Sequence, residues 1–360
     1  MPPITNMART CSPGLKISKR ENMSDKKVLL DHGSGGLASQ ELIENLFIKH
    51  LDNPILRNLE DSAILENKPG NIAFTTDSYV VDPLFFPGGD IGKLAVHGTI
   101  NDLAMRGAEP QGLSLGLILE EGFSLDELER VIISVAEACR EADVYVVTGD
   151  TKVVPRGKAD KIFINTAGVG IVDPKLQISS KKARAGDSII LSGSMGDHGI
   201  TIMSKQAGIA IDGNLRSDTM ALHKMVAKLL AELPAGSIHT LRDPTRGGVA
   251  TTLNEIAGNS KLEIELIEES LPIRANVRAA CEMLGLDPLY LANEGKCLII
   301  VSPEQTELAL QILHKTKEGQ EAVVIGSLKE GKAGRVLVTT PIGGARVVTP
   351  LHGEPLPRIC

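Results

Sequence analysis

From about residue 27 onward, short apolar runs alternate with longer stretches whose apolar positions recur every three or four residues, the pattern of an α/β chain. In the first half, Ile72-Ala73-Phe74-Thr75, Val144-Tyr145-Val146-Val147 and Ile162-Phe163-Ile164 predict strands, and the periodicity predicts helices over 38–51, 91–107 and 124–142. In the second half, Ser188-Ile189-Ile190-Leu191 and Leu298-Ile299-Ile300-Val301 predict strands, with two more near 322–328 and 335–340. Helices are predicted near 197–208, 218–233, 246–258 and 274–285, and from Pro303. Asp173-Pro174 and the polar, basic stretch that follows read as a linker over 174–186, so the chain divides into an N-terminal domain, 27–173, and a C-terminal one, 187–340. Residues 1–26 show no apolar period and are predicted to be a disordered extension. Residues 341–360 carry Pro350, Pro355 and Pro357, which deny them helix and ladder hydrogen bonds, and are predicted to form a mobile tail ending in Cys360.

The 360 residues are 42% apolar and 23% charged, the balance of a soluble globular protein with two cores. A net charge of −7 and an aromatic content of 2% leave little from which to build a nucleic-acid surface. The chain has neither a membrane-length apolar run nor an apolar signal core, so a cytoplasmic protein without membrane contact is expected. Cysteines 11, 139, 281, 297 and 360 form no CxxC pair, against both a disulfide framework and a thiolate zinc site. Cys139, Cys281 and Cys297 lie in apolar periodic stretches and read as buried thiols. Cys360 is different, because an extended proline-punctuated arm can carry its thiol into a pocket and out again.

Asp31-His32-Gly33-Ser34-Gly35-Gly36 precedes a helical pattern and offers bare backbone N–H groups to an anion. It lacks both the lysine of a P-loop and the glycine spacing of a dinucleotide fingerprint, which disfavours a Walker ATPase and a Rossmann dehydrogenase. Carboxylates at the ends of apolar runs are more specific: Asp61, Asp77, Asp82, Asp102, Asp150 and Asp243. Each alone reads as a turn former or cap. Asn101-Asp102, however, sits inside a helical pattern where capping does not explain it. Hard oxygen ligands of this kind suit Mg²⁺ bridging phosphates. Gly149-Asp150-Thr151-Lys152 is read as the end of an apolar strand, where ligands of open α/β sheets gather, with Lys152 balancing phosphate charge. Asp243-Pro244-Thr245-Arg246-Gly247-Gly248 opens a helix, and Asn293-Glu294-Gly295-Lys296 precedes a strand. For Glu294 a turn residue is the bland reading. His32, His97 and His198 match no zinc spacing and read as ordinary surface or core histidines.

Taken in order, these motifs, with Thr76-Asp77-Ser78-Tyr79-Val80-Val81-Asp82-Pro83 and the terminal Pro357-Arg358-Ile359-Cys360, resemble the HypE family of hydrogenase maturation proteins from about residue 28 to the last. The resemblance implies a two-domain PurM-like α/β (α+β) fold, with N-terminal sheets paired into a barrel in a homodimer, a C-terminal α/β domain and a flexible tail. It implies an ATP- and Mg²⁺-dependent dehydration of a carbamoyl group on Cys360 to a thiocyanate, the source of cyanide for the iron of [NiFe]-hydrogenase. The implied partners are the carbamoyltransferase HypF and the HypC–HypD complex. By the same resemblance Asp61, Asp77, Asp102 and Asp243 hold magnesium and phosphates. Gly33, Ser34, Gly35, Gly36, Asn101 and the Gly149, Asp150, Thr151, Lys152 segment bind nucleotide, Lys152 neutralises the transferring phosphoryl group, and Glu294 is the candidate base. Two other readings compete. One is a superfamily synthetase or kinase acting on a free small molecule; the other is a metal-handing scaffold using His352 and Cys360.

Overall fold

The computed structural model describes residues 27–66, 68–209, 211 and 214–351. The N-terminal extension and Cys360 lie outside the described residues.

The first half runs α1 (Leu37–Leu42), one π-helical turn, α2 (Lys49–Leu51), β1 (Asn71–Tyr79), a small hairpin of β2 (Phe85–Phe86) and β3 (Gly89–Asp90), and α3 (Ile91–Ala104). It continues with β4 (Glu109–Glu120), α4 (Leu125–Ala142), β5 (Val146–Val154) and β6 (Ile162–Val172). Asp90 caps α3, its carboxylate accepting from the Gly92 and Lys93 amides at 2.8 and 3.1 Å. The helix stops short of the expected 107 because Gly107, at φ 69°, turns the chain into the left-handed region.

Strands pair in the order β1-β6-β4-β5, with β5 parallel to β4 and the remaining pairs antiparallel. Alternation sends Ile162, Ile164, Thr166 and Gly168 toward α3 and α4, and Phe163, Asn165, Ala167 and Val169 the other way. That second face is open: Ile72 and Phe74 of β1 are 71% and 69% exposed, and Ile118 of β4 is 42% exposed.

The second half runs β7 (Ser188–Leu191), α5 (Asp197–Ala207), α6 (His223–Glu232), β8 (Ile238–Arg242), α7 (Gly248–Ser260), β9 (Glu263–Ile267), α8 (Ala275–Leu284) and β10 (Leu298–Val301). It ends with α9 (Thr306–Leu313), β11 (Val323–Lys329), β12 (Val336–Thr339) and β13 (Ala345–Val348). Its sheet has the order β13-β12-β9-β11-β7-β10-β8. α7 covers one face and α6 with α9 the other, so Ile189–Leu191 and Leu298–Val301 are buried on both sides and read as unbroken apolar runs. Ala104 and Met105 at the end of α3 join the α6–α9 cluster, so this core spans the two halves. No helix among the described residues is long and apolar enough to cross a membrane.

Two expectations need correction. The tail was expected from residue 341, but the chain turns at Thr340–Gly344 and returns as β13, where Val348 pairs with Val336 and is 1% exposed. The fold therefore holds the chain at least to Val348. The helix expected from 218 begins at His223, because Asp218 and Thr219 are drawn into contacts with Lys296 and His97.

His97 and His198 are core histidines, as expected. His97 Nδ1 meets Thr219 Oγ1 at 3.1 Å and His198 Nδ1 meets Ser217 Oγ at 2.8 Å. Burial pushes His97 down to about 3, with Lys93, His223 and Lys317 adding to the shift, and His198 down to about 4 against the pull of Asp218. Both are neutral in the folded protein while the unfolded chain takes up protons below about pH 6.5, so stability is lost as pH falls from there toward the folded values. We expect His97→Asn to lose less stability than the parent on going from pH 7 to pH 5, with a difference in slope of about 1.4 kcal/mol per pH unit below pH 6.5, measured by urea unfolding.

Candidate active site

Most of the residues singled out in the sequence fall into two places. The first is a cavity of about 560 Å³ at the β5 edge of the N-terminal sheet. Its apolar wall is Leu42, Phe47, Leu51, Leu115 and Val146, and its polar rim is Gly33, Gly35, Ser39, Glu60, Ser62 and Gly149–Lys152. The glycine loop lies hard against β5: a Cβ on Gly33 would stand 2.5 Å from the Val153 amide nitrogen. Ser39 Oγ ties this loop together, accepting from the Gly35 amide at 2.9 Å and reaching the His32 carbonyl at 2.8 Å. Ser34 donates to the Asp31 carbonyl, and Asp61 is exposed on the loop after Leu59.

Gly149–Lys152 does not end its strand. These residues continue β5 because β4 runs alongside, with Gly116 opposite Asp150 and Ile118 opposite Lys152. The two side chains stand on the open face of the sheet, 3.5 Å apart and mostly exposed. Asp82 is likewise exposed, 3.9 Å from Lys161.

The second place is a polar cavity of about 440 Å³ between the halves, lined by Asp102, Asp243, Thr245, Arg106, Arg242 and Arg246 among others. Asp77 and Thr75 reach it from the buried-side positions of β1. Thr75 Oγ1 donates to Asp102 Oδ2 at 2.7 Å, and Arg246 Nη2 lies 3.4 Å from Asp77 Oδ1. Burial raises the Asp102 carboxyl and Asp77 adds to the shift, while Thr75, Arg246 and Arg242 oppose it. Asp243 rises to about 6, chiefly from burial, with Asp102 and Asp77 reinforcing it. Three mutually repelling acids in one cleft make a site that a cation relieves.

Among the described residues no three His, Cys, Asp or Glu side chains are close enough to hold a metal ion unaided.

A buried polar seam closes the back of this cleft. Asn101 Nδ2 donates to the Met220 carbonyl at 3.0 Å and toward the Glu294 carbonyl at 3.4 Å, and its Oδ1 accepts from the Leu222 amide at 2.8 Å. Its amide is thus committed to backbone, which makes Asn101 a positioning residue rather than the nucleotide ligand expected. Asn293 is fully buried. Its Oδ1 accepts from the Gly196 amide at 2.7 Å and its Nδ2 donates to the Pro244 carbonyl at 3.1 Å. Glu294 is 4% exposed, no turn residue at the surface, and its amide donates to Asp218 Oδ1 at 3.1 Å. Lys296 Nζ pairs with Asp218 Oδ2 at 3.1 Å, both side chains nearly excluded from water. Sequence reasoning missed Asp218 and Thr75, since a lone polar residue in a polar stretch carries no periodic signal.

Family models match both halves: the N-terminal domain of AIR synthase related proteins over residues 59–172 and the C-terminal domain over 184–339. The carbamoyl dehydratase HypE of Azotobacter vinelandii is 52% identical over 341 residues, 95% of this chain and 99% of its own. The chain belongs to the HypE family of carbamoyl dehydratases. Among solved structures, the hydrogenase maturation protein HypE in complex with ATP superposes with a TM-score of 0.89 at 54% identity, over 92% of this chain and 99% of that one. A HypE–HypF complex gives a TM-score of 0.76 at 44% identity, over 86% and 99%. The α/β, PurM-like fold is therefore the one expected.

The seam yields a direct expectation. Lys296→Met leaves Asp218 charged and unpaired in the interior and destabilises the protein by about 3–5 kcal/mol, whereas adding Asp218→Leu restores most of that loss. Urea unfolding of the parent, the single and the double variant checks it.

Proposed function

We propose that the chain removes water from an S-carbamoyl group on Cys360 at the expense of ATP, leaving a thiocyanate that supplies cyanide to the iron of [NiFe]-hydrogenase. The observation that carries this reading is the 52% identity to a carbamoyl dehydratase across almost its whole length. The carbamoyl oxygen attacks the γ-phosphorus, the bond to the ADP oxygen breaks, and one N–H proton is lost, giving an O-phosphorylated imidate. The C–O bond then breaks, phosphate leaves with the former carbonyl oxygen, and loss of the second N–H proton completes the C≡N bond. In net terms R–S–CONH₂ and ATP⁴⁻ give R–S–CN, ADP³⁻, HPO₄²⁻ and H⁺. Asp77, Asp102 and Asp243 would hold Mg²⁺, which would supply charge neutralisation for the phosphates there, and buried Glu294 is the base for the carbamoyl nitrogen. HypF loads the tail, HypC–HypD receives the nitrile, and the protein works in the cytoplasm. Residues 27–173 bind nucleotide and dimerise, 187–340 close the cleft, and the arm beyond β13 carries Cys360.

The two cavities belong to one site shared by two copies. Within one chain they lie at opposite edges of a four-stranded sheet, β5 against β1, three strand spacings or about 14 Å apart. The open face with Ile72, Phe74 and Ile118 needs cover, and a second copy is its occupant. Two such sheets packed face to face around a two-fold axis bring the β5 edge of one copy to the β1 edge of the other. The glycine loop, Asp61 and Lys152 of one copy then serve the carboxylate cleft of its neighbour.

Three outcomes are expected. Incubated with HypF, carbamoyl phosphate and Mg-ATP, the C-terminal peptide gains a carbamoyl group and then loses one water by intact mass; an unmodified Cys360 beside active HypF would falsify the carrier role. Cys360→Ser keeps nucleotide binding and forms no product, while Asp102→Ala weakens Mg-ATP binding with the tail intact. Lys152→Ala and Asp102→Ala proteins, each inactive alone, regain about a quarter of parental activity when mixed and allowed to exchange subunits, because each mixed dimer has one intact site. No recovery despite demonstrated exchange would place both groups in one copy's site.

A further inference from the structure

We propose that Arg246 is a catalytic residue: it leaves Asp77 when Mg-ATP fills the cleft and donates its guanidinium N–H groups to the oxygens of the transferring phosphoryl group. The assignment rests on the reading of the cleft as the Mg-phosphate site.

The backbone that carries Arg246 is seated firmly. Asn293 holds the Pro244 carbonyl, the Gly248 amide donates to the Thr245 carbonyl at 3.1 Å, and a Cβ on Gly248 would stand 2.5 Å from the carbonyl oxygens of Leu289 and Leu291. The side chain is the opposite, 70% exposed at the mouth of the polar cavity. Its contact with Asp77 Oδ1, at 3.4 Å, is longer than the 2.7–2.9 Å or so of a charge-assisted hydrogen bond, and an exposed pair of this kind is worth little. Arg242, the neighbouring arginine, is already held by Glu255 at 2.6 Å, and Arg106 is exposed at the end of α3. Arg246 is therefore the cation on a fixed base that meets both Asp77 and the field of Asp102 and still has freedom to move.

Charge drives the exchange. With the cleft empty of cation, Arg246 partly neutralises the acids. A divalent cation on those carboxylates repels the guanidinium, while the phosphate chain arriving with it offers oxygens that match the planar donor fork. A guanidinium placed there stabilises charge on the phosphoryl group as the bond to ADP breaks, and again on the phosphate as it departs from carbon.

The test compares Mg-ADP with Mg-ADP plus aluminium fluoride, a mimic of the phosphoryl group in flight, by calorimetry. Arg246→Ala should bind Mg-ADP within about threefold of the parent yet lose about 10²-fold in affinity for the aluminium fluoride complex. Dehydration of preloaded S-carbamoyl protein should fall by about 10²-fold or more, with partial rescue by added guanidinium ion and an intermediate rate for Arg246→Lys. Parental affinity of Arg246→Ala for the fluoride complex overturns the proposal, as does an equal loss for Mg-ADP alone. Asp102→Ala separates the two levels. If it abolishes Mg-ADP binding while Arg246→Ala behaves as the parent, the arginine assignment alone falls; if neither variant alters Mg-ADP or the fluoride complex, the reading of the cleft falls with it.

Discussion

The buried amide of Asn101 is the contact on which the cleft depends. It bonds three backbone groups of the second half from a helix of the first, and the next residue along that helix is Asp102. Hydrogen bonds in a dry seam are costly to break, because each buried group left behind has no water to turn to. The Glu294 carbonyl is one of the groups held, and the Asp218–Lys296 pair sits directly behind its amide. The base candidate and the acids are thus fixed to one another through backbone, so small rearrangements of either half are felt by both.

That rigidity is what holds three acids together in one cleft. Burial is the main cause of the upward shifts of Asp102 and Asp243, and the mutual repulsion of these two acids and Asp77 adds to it. A flexible cleft would relax it by moving apart. A fixed one keeps it, eased by the hydrogen bond that Thr75 donates to Asp102 and by the positive charge of Arg246.

How much of this the sequence disclosed depends on periodicity. α3, α4 and the doubly buried β7 and β10 were legible because their apolar spacing is unbroken. β4, central to the first sheet, was not predicted: Pro110, Gly112 and Gly116 interrupt its apolar run, although Pro110 and Gly112 flank a register shift against β6 and Gly112 leaves room for Val147. Missing β4 also misplaced Gly149–Lys152, whose polar side chains suggested a strand end when they are a strand's open face. Asp77, Asp102 and Asp243, which meet in the cleft, were legible as polar residues against apolar patterns, though grouped with Asp61, Asp82 and Asp150, which lie elsewhere. Their separation from the glycine loop was not, since nothing local in a sequence states which edge of a sheet a strand will occupy.

The last described residues lie beside the cleft. At the end of β13 the Val348 carbonyl accepts from Asn254 at 3.1 Å, and beyond it the Leu351 amide donates to Thr251 Oγ1 at 3.3 Å, so the last described residues run along the first turns of α7. The loop before that helix carries Asp243 and Arg246. From Leu351 to Cys360 is nine residues, an extended reach of about 30 Å. The fold thus fixes Leu351 against the helix whose leading loop carries Asp243 and Arg246, so the proposed carrier thiol starts its reach from the side of the cleft.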